Sequence, residues 1–236
     1  MNPDLLSRAL RDPGDAPLLI ERDDGHTSTT DLRWWLRRET ARPPGDLPAL
    51  KWVLAGTAED IGCCTGRHLQ YLAGRGIAAH GIDTCEAAVT LARTAGLDAD
   101  VADVHHYTPP RPVDTVLALG GGLGMAGTCH HAPAFLAHLA SWLAPHGQLI
   151  VSSVDWTVTT GQHRTRAEQA QREGRYPGDV RLRLRYQGDS GDWFNWVWID
   201  PATLESLARH AGLRITAIQR YGPAWYAASL QTVTGR

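Results

Sequence analysis

The fold is decided by a short stretch in the first third of the chain, Asp60-Ile61-Gly62-Cys63-Cys64-Thr65-Gly66. A strand predicted at Ala58–Gly62 runs directly into it, and a helix with Leu69, Leu72 and Ala73 on one side follows it. A glycine turn at the end of a strand lets the backbone approach a ligand closely and directs helix N–H groups toward it. The stretch therefore predicts a ligand site where the first strand meets the first helix of an α/β fold.

Strands and helices alternate regularly outward from this turn. The predicted strands are Ala58–Gly62, Ile77–Asp83, Leu97–Ala102, Val113–Leu119, Gln148–Val154, Leu213–Arg220 and Trp225–Thr232. The short links between strand and helix predict right-handed crossovers, and the tight turn at Gly222-Pro223 joins the last two strands in antiparallel fashion. We predict an α/β, Rossmann-like, seven-stranded and mostly parallel sheet flanked by helices.

Two further segments lie outside this regular pattern. Residues 1–45 are predicted to form an N-terminal helical cap segment, and residues 46–236 the main domain. Val180–Tyr186 and Trp193–Ile199 predict a β-hairpin insertion at about 180–199, whereas the polar residues 156–178 predict an irregular excursion. We expect the cap and the hairpin to build a pocket for a second substrate.

Acidic residues and glycines stand at the ends of the predicted parallel strands. Asp83 ends the second strand, and a carboxylate there can accept both hydroxyls of a ribose. Asp103-Val104 ends the third strand and suits the amino edge of a purine. Leu119-Gly120-Gly121-Gly122 ends the fourth strand, where the backbone can again come close to a ligand. The four strand ends together predict a nucleotide-like ligand.

These strand ends resemble those of the class I S-adenosylmethionine-dependent methyltransferases, over roughly residues 46–155. In that family the first loop, Asp/Glu-x-Gly-x-Gly-x-Gly, holds the methionine part of the cofactor. The acid after the second strand holds the ribose, and the acid after the third strand contacts the adenine amino group. The resemblance implies a methyltransferase that uses S-adenosyl-L-methionine. It assigns the cofactor-binding role to Asp60, Gly62, Cys63, Cys64, Gly66, Asp83, Thr84, Asp103, Val104, Leu119 and Gly120.

Other segments are similar to the branch of this family that acts on small molecules. They are Thr65-Gly66-Arg67-His68, Gly81-Ile82-Asp83 and Pro145-His146-Gly147-Gln148. The stretch Gly120–Met125 differs from the Asn/Asp-Pro-Pro-Tyr signature used on amino groups of DNA bases and protein amides, which disfavours those acceptors. We expect a small-molecule acceptor, in specialised metabolism.

The sequence departs from the family pattern at two positions. Cys64 replaces the middle glycine of the loop, and a positive φ there would carry strain of order 1 kcal/mol or more. Glu59 stands where the first strand normally carries an apolar residue, and a buried carboxylate is costly without a partner. Either the strand is distorted, or Arg67 or His80 pairs with Glu59. Both departures leave open a second interpretation, a non-catalytic binding protein with weakened cofactor affinity.

An oxidoreductase is the third interpretation. A dinucleotide fingerprint has the form Gly-x-Gly-x-x-Gly, whereas this loop lacks the middle glycine and has its last glycine one residue early. The loop therefore favours S-adenosylmethionine over NAD.

Methyl transfer needs a general base only when the acceptor is protonated or is a weak nucleophile. The weak candidates are Asp155 after the fifth strand, Tyr107 after the third, and His130 and His131 after the fourth. Each also has a structural explanation, since Asp155 can cap a turn and paired histidines at a helix start are usually solvated. The catalytic residue stays unknown at this level.

The aromatic and cysteine–histidine patterns each have a structural explanation besides a functional one. Trp34 and Trp35 could form a lid over the cofactor or pack in the cap. The cluster of Trp193, Phe194, Trp196 and Trp198 could wall an aromatic pocket, although packing of the hairpin against the sheet is the more ordinary explanation. No spacing typical of metal ligands is present around Cys129-His130-His131, so no metal is expected.

Charge and hydropathy limit the possible partners. The formal net charge is −2 at pH 7, so no overall positive field attracts nucleic acid or an anionic membrane. The start of the sequence, Met1-Asn2-Pro3-Asp4, lacks the basic and apolar regions of a signal peptide. We therefore expect a cytoplasmic protein with reduced thiols that binds neither nucleic acid nor membrane. The sequence leaves the oligomeric state open.

Overall fold

The structure is a computed structural model, which describes residues 3–36 and 46–233. The strands are β1 (Leu18–Arg22), β2 (Thr27–Thr30), β3 (Thr57–Ile61), β4 (Ala78–Asp83), β5 (Ala99–Val101), β6 (Val113–Ala118), β7 (Leu143–Val154), β8 (Asp179–Tyr186), β9 (Asp189–Ser190), β10 (Phe194–Val197), β11 (Leu213–Tyr221) and β12 (Trp225–Thr232). The helices are α1 (Pro3–Arg11), α2 (Leu32–Trp35), α3 (Asp46–Leu50), α4 (Arg67–Ala73), α5 (Glu86–Thr94), α6 (Ala132–Ala140), α7 (Gly161–Arg172) and α8 (Pro201–His210). Two 3₁₀ helices lie at Gly122–Ala126 and Trp156–Val158.

The main sheet has seven strands in the order β11-β12-β7-β6-β3-β4-β5. The five strands from β3 to β7 are mutually parallel, and β12 is antiparallel to both of its neighbours. This arrangement confirms the predicted seven-stranded, mostly parallel α/β sheet with an antiparallel last strand.

The sheet is covered by helices on both faces because its central strands are apolar on both sides. Val116 and Ala118 of β6 belong to one buried cluster, with Leu136 of α6 and Leu204 of α8. Their neighbour Leu117 belongs to another cluster, on the opposite face, with residues of α3 and α4. Successive side chains of a strand point to opposite faces, so a continuous apolar run is what a doubly covered strand requires.

A second, antiparallel sheet is built from the N-terminal segment and the hairpin together, in the order β10-β8-β1-β2, with β9 paired to β8. The predicted hairpin forms, since β8 and β10 pair in antiparallel register. The N-terminal segment, however, is not only the helical cap that the sequence predicted. The strand β2 was missed because Thr27–Thr30 is entirely polar and pairs as a sheet edge, so it shows no alternation of apolar and polar residues.

The inner face of the second sheet packs on α1 and α5. Leu184 and Tyr186 of β8 share a buried cluster with Leu6 of α1 and Ala88 of α5. A hydrogen-bond contact of 3.3 Å between Ser7 Oγ and Cys85 Sγ adds a polar link between the same two helices. The N-terminal segment is thereby attached to the helix that follows β4.

Residues 156–178 contain a helix where an irregular excursion was predicted. The helix α7 (Gly161–Arg172) buries only two small side chains, Ala167 and Ala170. Such a narrow stripe gives almost no periodic signal in the sequence. An Arg164–Glu168 ion pair at i, i+4 supports the exposed face of the helix.

A close contact at Gly124 joins the second sheet to the main domain. A Cβ atom added to Gly124 would lie 2.0 Å from Cε2 and 2.1 Å from Nε1 of Trp196 in β10. The indole ring therefore rests directly on the backbone of the 3₁₀ helix Gly122–Ala126, at a distance that only glycine permits.

We expect Gly124→Ala to lower the free energy of unfolding by about 1–3 kcal/mol, because the added methyl group overlaps a large ring held by a strand. Gly74→Ala is a matched control, since the nearest non-neighbouring atoms to its added Cβ are 3.5 Å away and its φ is −62°. The control should change stability by less than about 1 kcal/mol. Urea unfolding measures both values, and equal stability of Gly124→Ala and the wild type would contradict the contact.

Candidate functional site

The loop between β3 and α4 is closed by its own hydrogen bonds. The N–H groups of Gly62 and Cys63 both donate to the carbonyl of Ile82 in β4, at 2.8 and 3.0 Å, and Gly66 N–H donates to the Cys63 carbonyl at 2.9 Å. Gly66 has φ +84°, and a Cβ there would lie 2.5 Å from Leu97 Cδ1. These three N–H groups are used within the protein to hold the turn together. They are therefore not directed at a ligand, contrary to what the sequence predicted for this turn.

Asp83 connects this loop to the next helix. One oxygen of its carboxylate accepts from Cys64 N–H at 2.9 Å, and the other accepts from Cys85 N–H at 2.8 Å. Burial raises the pKa of Asp83, an effect that the two N–H donors partly offset. The carboxylate is therefore fixed in orientation, and each oxygen keeps a further lone pair for another donor.

Thr84 lies between Asp83 and the following helix but is not its N-cap residue. The helix α5 starts at Glu86 with Cys85 as its N-cap residue, and no side chain donates or accepts at that cap. The bond from Cys85 N–H to Asp83 is a local Asx turn that organises the helix start instead. Thr84 is exposed and lines the cavity described below.

Cys64 has φ +50°, a left-handed conformation unusual for a residue other than glycine. Its side chain lines the cavity. Burial, together with the neighbouring Asp83 carboxylate, raises the pKa of the Cys64 thiol well above its usual value, so the thiol stays neutral at physiological pH.

A cavity of about 680 Å³ opens at the carboxyl ends of the parallel strands. One half is bordered by the β3–α4 loop and by the ends of β4, β5 and β6. The other half is bordered by the 3₁₀ helix Gly122–Ala126, the start of α6 and β10. The lining residues are Leu6, Trp35, Ile61, Gly62, Cys64, Ile82, Asp83, Thr84, Ala102, Asp103, Val104, His105, Leu119, Gly120, Gly122, Met125, Ala126, Gly127, His131, Phe194, Asn195 and Trp196.

Eight of the eleven residues assigned to the cofactor line this cavity: Gly62, Cys64, Asp83, Thr84, Asp103, Val104, Leu119 and Gly120. Asp103 is exposed, and its carboxylate accepts from His105 N–H at 3.0 Å. The structure therefore brings the four strand ends together around a single space.

The other three assigned residues, Asp60, Cys63 and Gly66, lie behind the lining. Both oxygens of Asp60 are 3.2 Å from His68 Nδ1, in a buried contact between β3 and α4. Cys63 packs with Leu69 in a small buried cluster. Gly66 is the N-cap residue of α4. Here they fix the loop rather than border the cavity.

Of the four candidate bases, His131 is the one that lines the cavity. Its Nδ1 atom is 3.0 Å from Thr128 Oγ1, which leaves Nε2 as the second ring nitrogen. His130 is the neighbouring residue, with its ring centroid 5.2 Å from that of His131, but it does not border the cavity.

Asp155 and Tyr107 occupy structural positions. Asp155 is 1% exposed, accepts from Thr157 N–H at 3.1 Å and forms an ion pair with Arg220 at 2.7 Å. Tyr107 packs edge to face on Trp142, away from the cavity.

Glu59 pairs with His80, one of the two partners that the sequence offered for it. Its Oε1 atom is 2.8 Å from His80 Nδ1, and His80 Nε2 is 3.3 Å from Asp100. The hydrogen bond with Glu59 raises the pKa of His80, which favours the charged imidazolium between the two carboxylates. His80 thus compensates the buried carboxylate of β3, and that strand still pairs with β4 and β6.

Several lining residues were not singled out as site residues in the sequence, namely Leu6, Met125 and Asn195. Leu6 and Asn195 reach the cavity through packing of α1 and the second sheet, and Met125 lies in the 3₁₀ helix after β6, so no local motif marks them. Phe194, Trp196 and Trp35 did carry a signal, since each was considered as a possible pocket wall or lid. Trp35 is held by a 2.7 Å bond from its Nε1 to Thr30 Oγ1, and Thr65 Oγ1 donates to its carbonyl.

Residues 59–147 match the sequence family described as a methyltransferase domain. A search of curated proteins found no match. An S-adenosylmethionine-dependent methyltransferase from Bacteroides fragilis, crystallised with S-adenosyl-L-homocysteine, superposes with a TM-score of 0.80 at 21% identity, over 98% of this chain and 93% of that one. A second, from Methanosarcina mazei, gives 0.65 at 17% identity over 80% and 98%. CalS10, an amino pentose methyltransferase from Micromonospora echinaspora, gives 0.55 at 16% identity over 85% and 97%.

The matched domain and the shared fold confirm the class that the sequence predicted. Residues 59–147 match a methyltransferase domain, and the whole described fold is shared with S-adenosylmethionine-dependent methyltransferases, one of which was crystallised with S-adenosyl-L-homocysteine. Within the described part of the chain, no helix has the length and apolar character needed to cross a membrane, and no cluster of three or more candidate metal ligands is found there.

We expect Asp83→Asn to weaken binding of S-adenosylhomocysteine by roughly 10–100-fold, because bonds to a carboxylate are worth about 1.5–3 kcal/mol each. Calorimetry measures the affinity. Asp98→Asn is the matched control, since Asp98 is exposed and precedes β5 at the opposite, amino end of the strand.

The same pair of variants tests the pH dependence of binding. As the pH falls, Asp83 is protonated and loses its negative charge. Because its pKa is raised, this loss of charge occurs at a higher pH than for an ordinary aspartate. As the pH falls, affinity should therefore decline in the wild type and in Asp98→Asn at a higher pH than an ordinary aspartate would give, and should stay flat in Asp83→Asn. A wild-type affinity independent of pH would contradict the role of this carboxylate.

Proposed function

We propose that this protein transfers a methyl group from S-adenosylmethionine to a small-molecule acceptor, in specialised metabolism. The observation that carries the proposal is the single cavity that joins the two halves of the site. The ends of β3 to β6 border one half, and residues of the 3₁₀ helix, α6 and β10 border the other. A ligand in each half would be in direct contact with the other.

The residues of the first half fit the cofactor. The Asp83 carboxylate, oriented by two backbone N–H groups, offers its remaining lone pairs to the hydroxyls of a ribose. Asp103 and Val104 follow β5 in the position suited to an adenine edge, and Gly62 and Gly120 border the space without side chains. These assignments form part of the proposal.

When bound, S-adenosylmethionine supplies a methyl group on a sulfonium, a good leaving group that needs little further activation. The protein then has to align the acceptor with the methyl group and exclude water. We assign this role to the cap segment of residues 1–45 and to the insertion at about 180–199, which belongs to the domain of residues 46–236. Leu6 and Trp35 from the first segment and Phe194 and Trp196 from the second line the cavity.

A small acceptor is supported by the size of the cavity. Its volume of about 680 Å³ lies within the usual range of sites for small ligands, about 300–1,000 Å³. One similar fold points the same way, since CalS10 is an amino pentose methyltransferase involved in calicheamicin biosynthesis.

The proposal is tested by incubating the protein with S-adenosylmethionine carrying a deuterated methyl group and a fractionated extract of small metabolites. Mass spectrometry should detect labelled products that are absent with Asp83→Asn. Production of S-adenosylhomocysteine without a labelled small molecule would contradict the acceptor class.

For an acceptor that must lose a proton, His131 is the proposed base. We expect His131→Ala to lower kcat by about 10²–10⁴-fold while leaving the affinity for S-adenosylhomocysteine unchanged. His130→Ala is the matched control and should keep the wild-type kcat, because His130 does not border the cavity. Equal rates for both variants would remove His131 from the mechanism.

Cys64 favours one rival function, a binding protein with weakened cofactor affinity, because its side chain lies in the cavity at φ +50°. We expect wild-type binding of S-adenosylhomocysteine in the micromolar range and no gain in affinity from Cys64→Gly. No wild-type binding at millimolar ligand, with binding restored in Cys64→Gly, would instead support the rival.

A further inference from the structure

Two aromatic side chains of β10 form a corner in the second half of the cavity. The ring centroids of Phe194 and Trp196 are 6.1 Å apart, with an angle of 80° between the ring planes. Both side chains are only partly buried, and both line the cavity. The two planes therefore present adjoining apolar walls to whatever occupies this space.

The Trp196 wall is fixed in place by the main domain. Its indole rests on Gly124, where a Cβ atom would overlap the ring at 2.0 Å. The antiparallel pairing of Trp196 with Val180 holds the backbone on the other side. A rigid aromatic surface loses little conformational entropy when a ligand stacks on it, which strengthens binding.

Met125 connects this corner to the cofactor half. Its Cε atom lies 3.4 Å from the Cβ position of Gly62 and 3.3 Å from that of Gly122. Met125 thus lies between the β3–α4 loop and the 3₁₀ helix that carries Gly124. An occupant of the corner would therefore be next to the part of the loop that faces the cofactor.

Polar groups border the same half at its exposed edge. Asn195 has its Cβ 3.7 Å from the Cβ position of Gly127, and His131 follows that turn by four residues. Both side chains are exposed and line the cavity. A flat apolar ring in the corner could thus place a polar substituent beside an imidazole and an amide.

From this geometry we infer that the acceptor is an uncharged aromatic ring carrying a hydroxyl group, stacked in the corner of Phe194 and Trp196. The inference rests on the proposed methyl transfer and names its substrate class. The hydroxyl oxygen forms a bond to the methyl carbon, the carbon–sulfur bond breaks and its electron pair remains on sulfur. The hydroxyl proton goes to Nε2 of His131, whose Nδ1 already contacts Thr128 Oγ1.

The corner distinguishes this acceptor from others of similar size. Aromatic rings gain about 0.5–1.5 kcal/mol from ring contacts beyond the burial of their area, which a saturated ring does not gain. A compact cation would instead bind the ring faces through cation–π attraction. The three chemistries therefore predict three different orders of affinity.

The test is calorimetric titration of the protein saturated with S-adenosylhomocysteine, using 2-naphthol, decahydro-2-naphthol and quinuclidine as probes. We expect 2-naphthol to bind about tenfold more tightly than either of the others. Equal affinity for 2-naphthol and its saturated analogue, or stronger binding of the quinuclidinium cation, would overturn the inference. Failure of S-adenosylhomocysteine to bind the wild type would overturn the proposed function itself.

Substitutions of the tryptophans near the corner test where 2-naphthol binds. Trp196→Ala should weaken 2-naphthol about tenfold, and Trp196→Phe should stay within about threefold of the wild type. Trp193→Ala is the matched control, because Trp193 stacks under Arg183 at 4.6 Å and does not line the cavity. Affinity for S-adenosylhomocysteine reports whether each variant keeps a folded site. Equal losses in Trp193→Ala and Trp196→Ala would also overturn the inference.

Discussion

Both carboxylate oxygens of Asp83 accept backbone hydrogen bonds, one from Cys64 before it in the chain and one from Cys85 after it. One side chain at the end of β4 therefore fixes the loop that follows β3 and the start of α5. Charge-assisted bonds of this kind are about twice as strong as neutral ones. The shape of the half of the cavity at the strand ends depends on this bridge, because Cys64 and Thr84, which lie next to the bridged backbone, both line it.

The second half depends on a different constraint, the seating of the second sheet on the main domain. The β10 strand approaches the 3₁₀ helix after β6 so closely that the Trp196 ring packs directly on the backbone of Gly124. On its other side the same sheet packs through Leu184 and Tyr186 on α1, which in turn lies on α5. Since α5 begins beside Asp83, the helix whose start this carboxylate organises also supports the second sheet.

The regular part of the fold was predictable because its signals are local. The run Val113–Leu119 indicates a doubly covered strand, and Asp83 and Asp103 stand at strand ends that a parallel sheet must bring together. By contrast, β2 and α7 carry almost no apolar periodicity, since one is a polar sheet edge and the other buries two alanines.

The sequence predicted that the cap and the hairpin border a second pocket, but it did not identify Leu6, Met125 and Asn195 as lining residues, because they are distant in the chain and meet only through tertiary packing. The role of Asp60 was equally hidden. Its position in the loop motif matches a cofactor residue, yet His68, in the first turn of the following helix, is the partner that contacts its carboxylate. A local motif specifies which residues are near a ligand, whereas the neighbouring helix decides which of them face it.

The left-handed conformation of Cys64 can be understood from the same bridge. A non-glycine residue at φ +50° costs on the order of 1–3 kcal/mol. A hydrogen bond to a charged group contributes about 1.5–3 kcal/mol, and Cys64 N–H donates such a bond to Asp83. The two terms are of similar size, so the loop can retain a side chain at this position without losing its shape. Because this hydrogen bond links the Cys64 backbone to the charge on Asp83, the strain at Cys64 and the ionisation of Asp83 are energetically coupled, and a substitution of either residue affects the other.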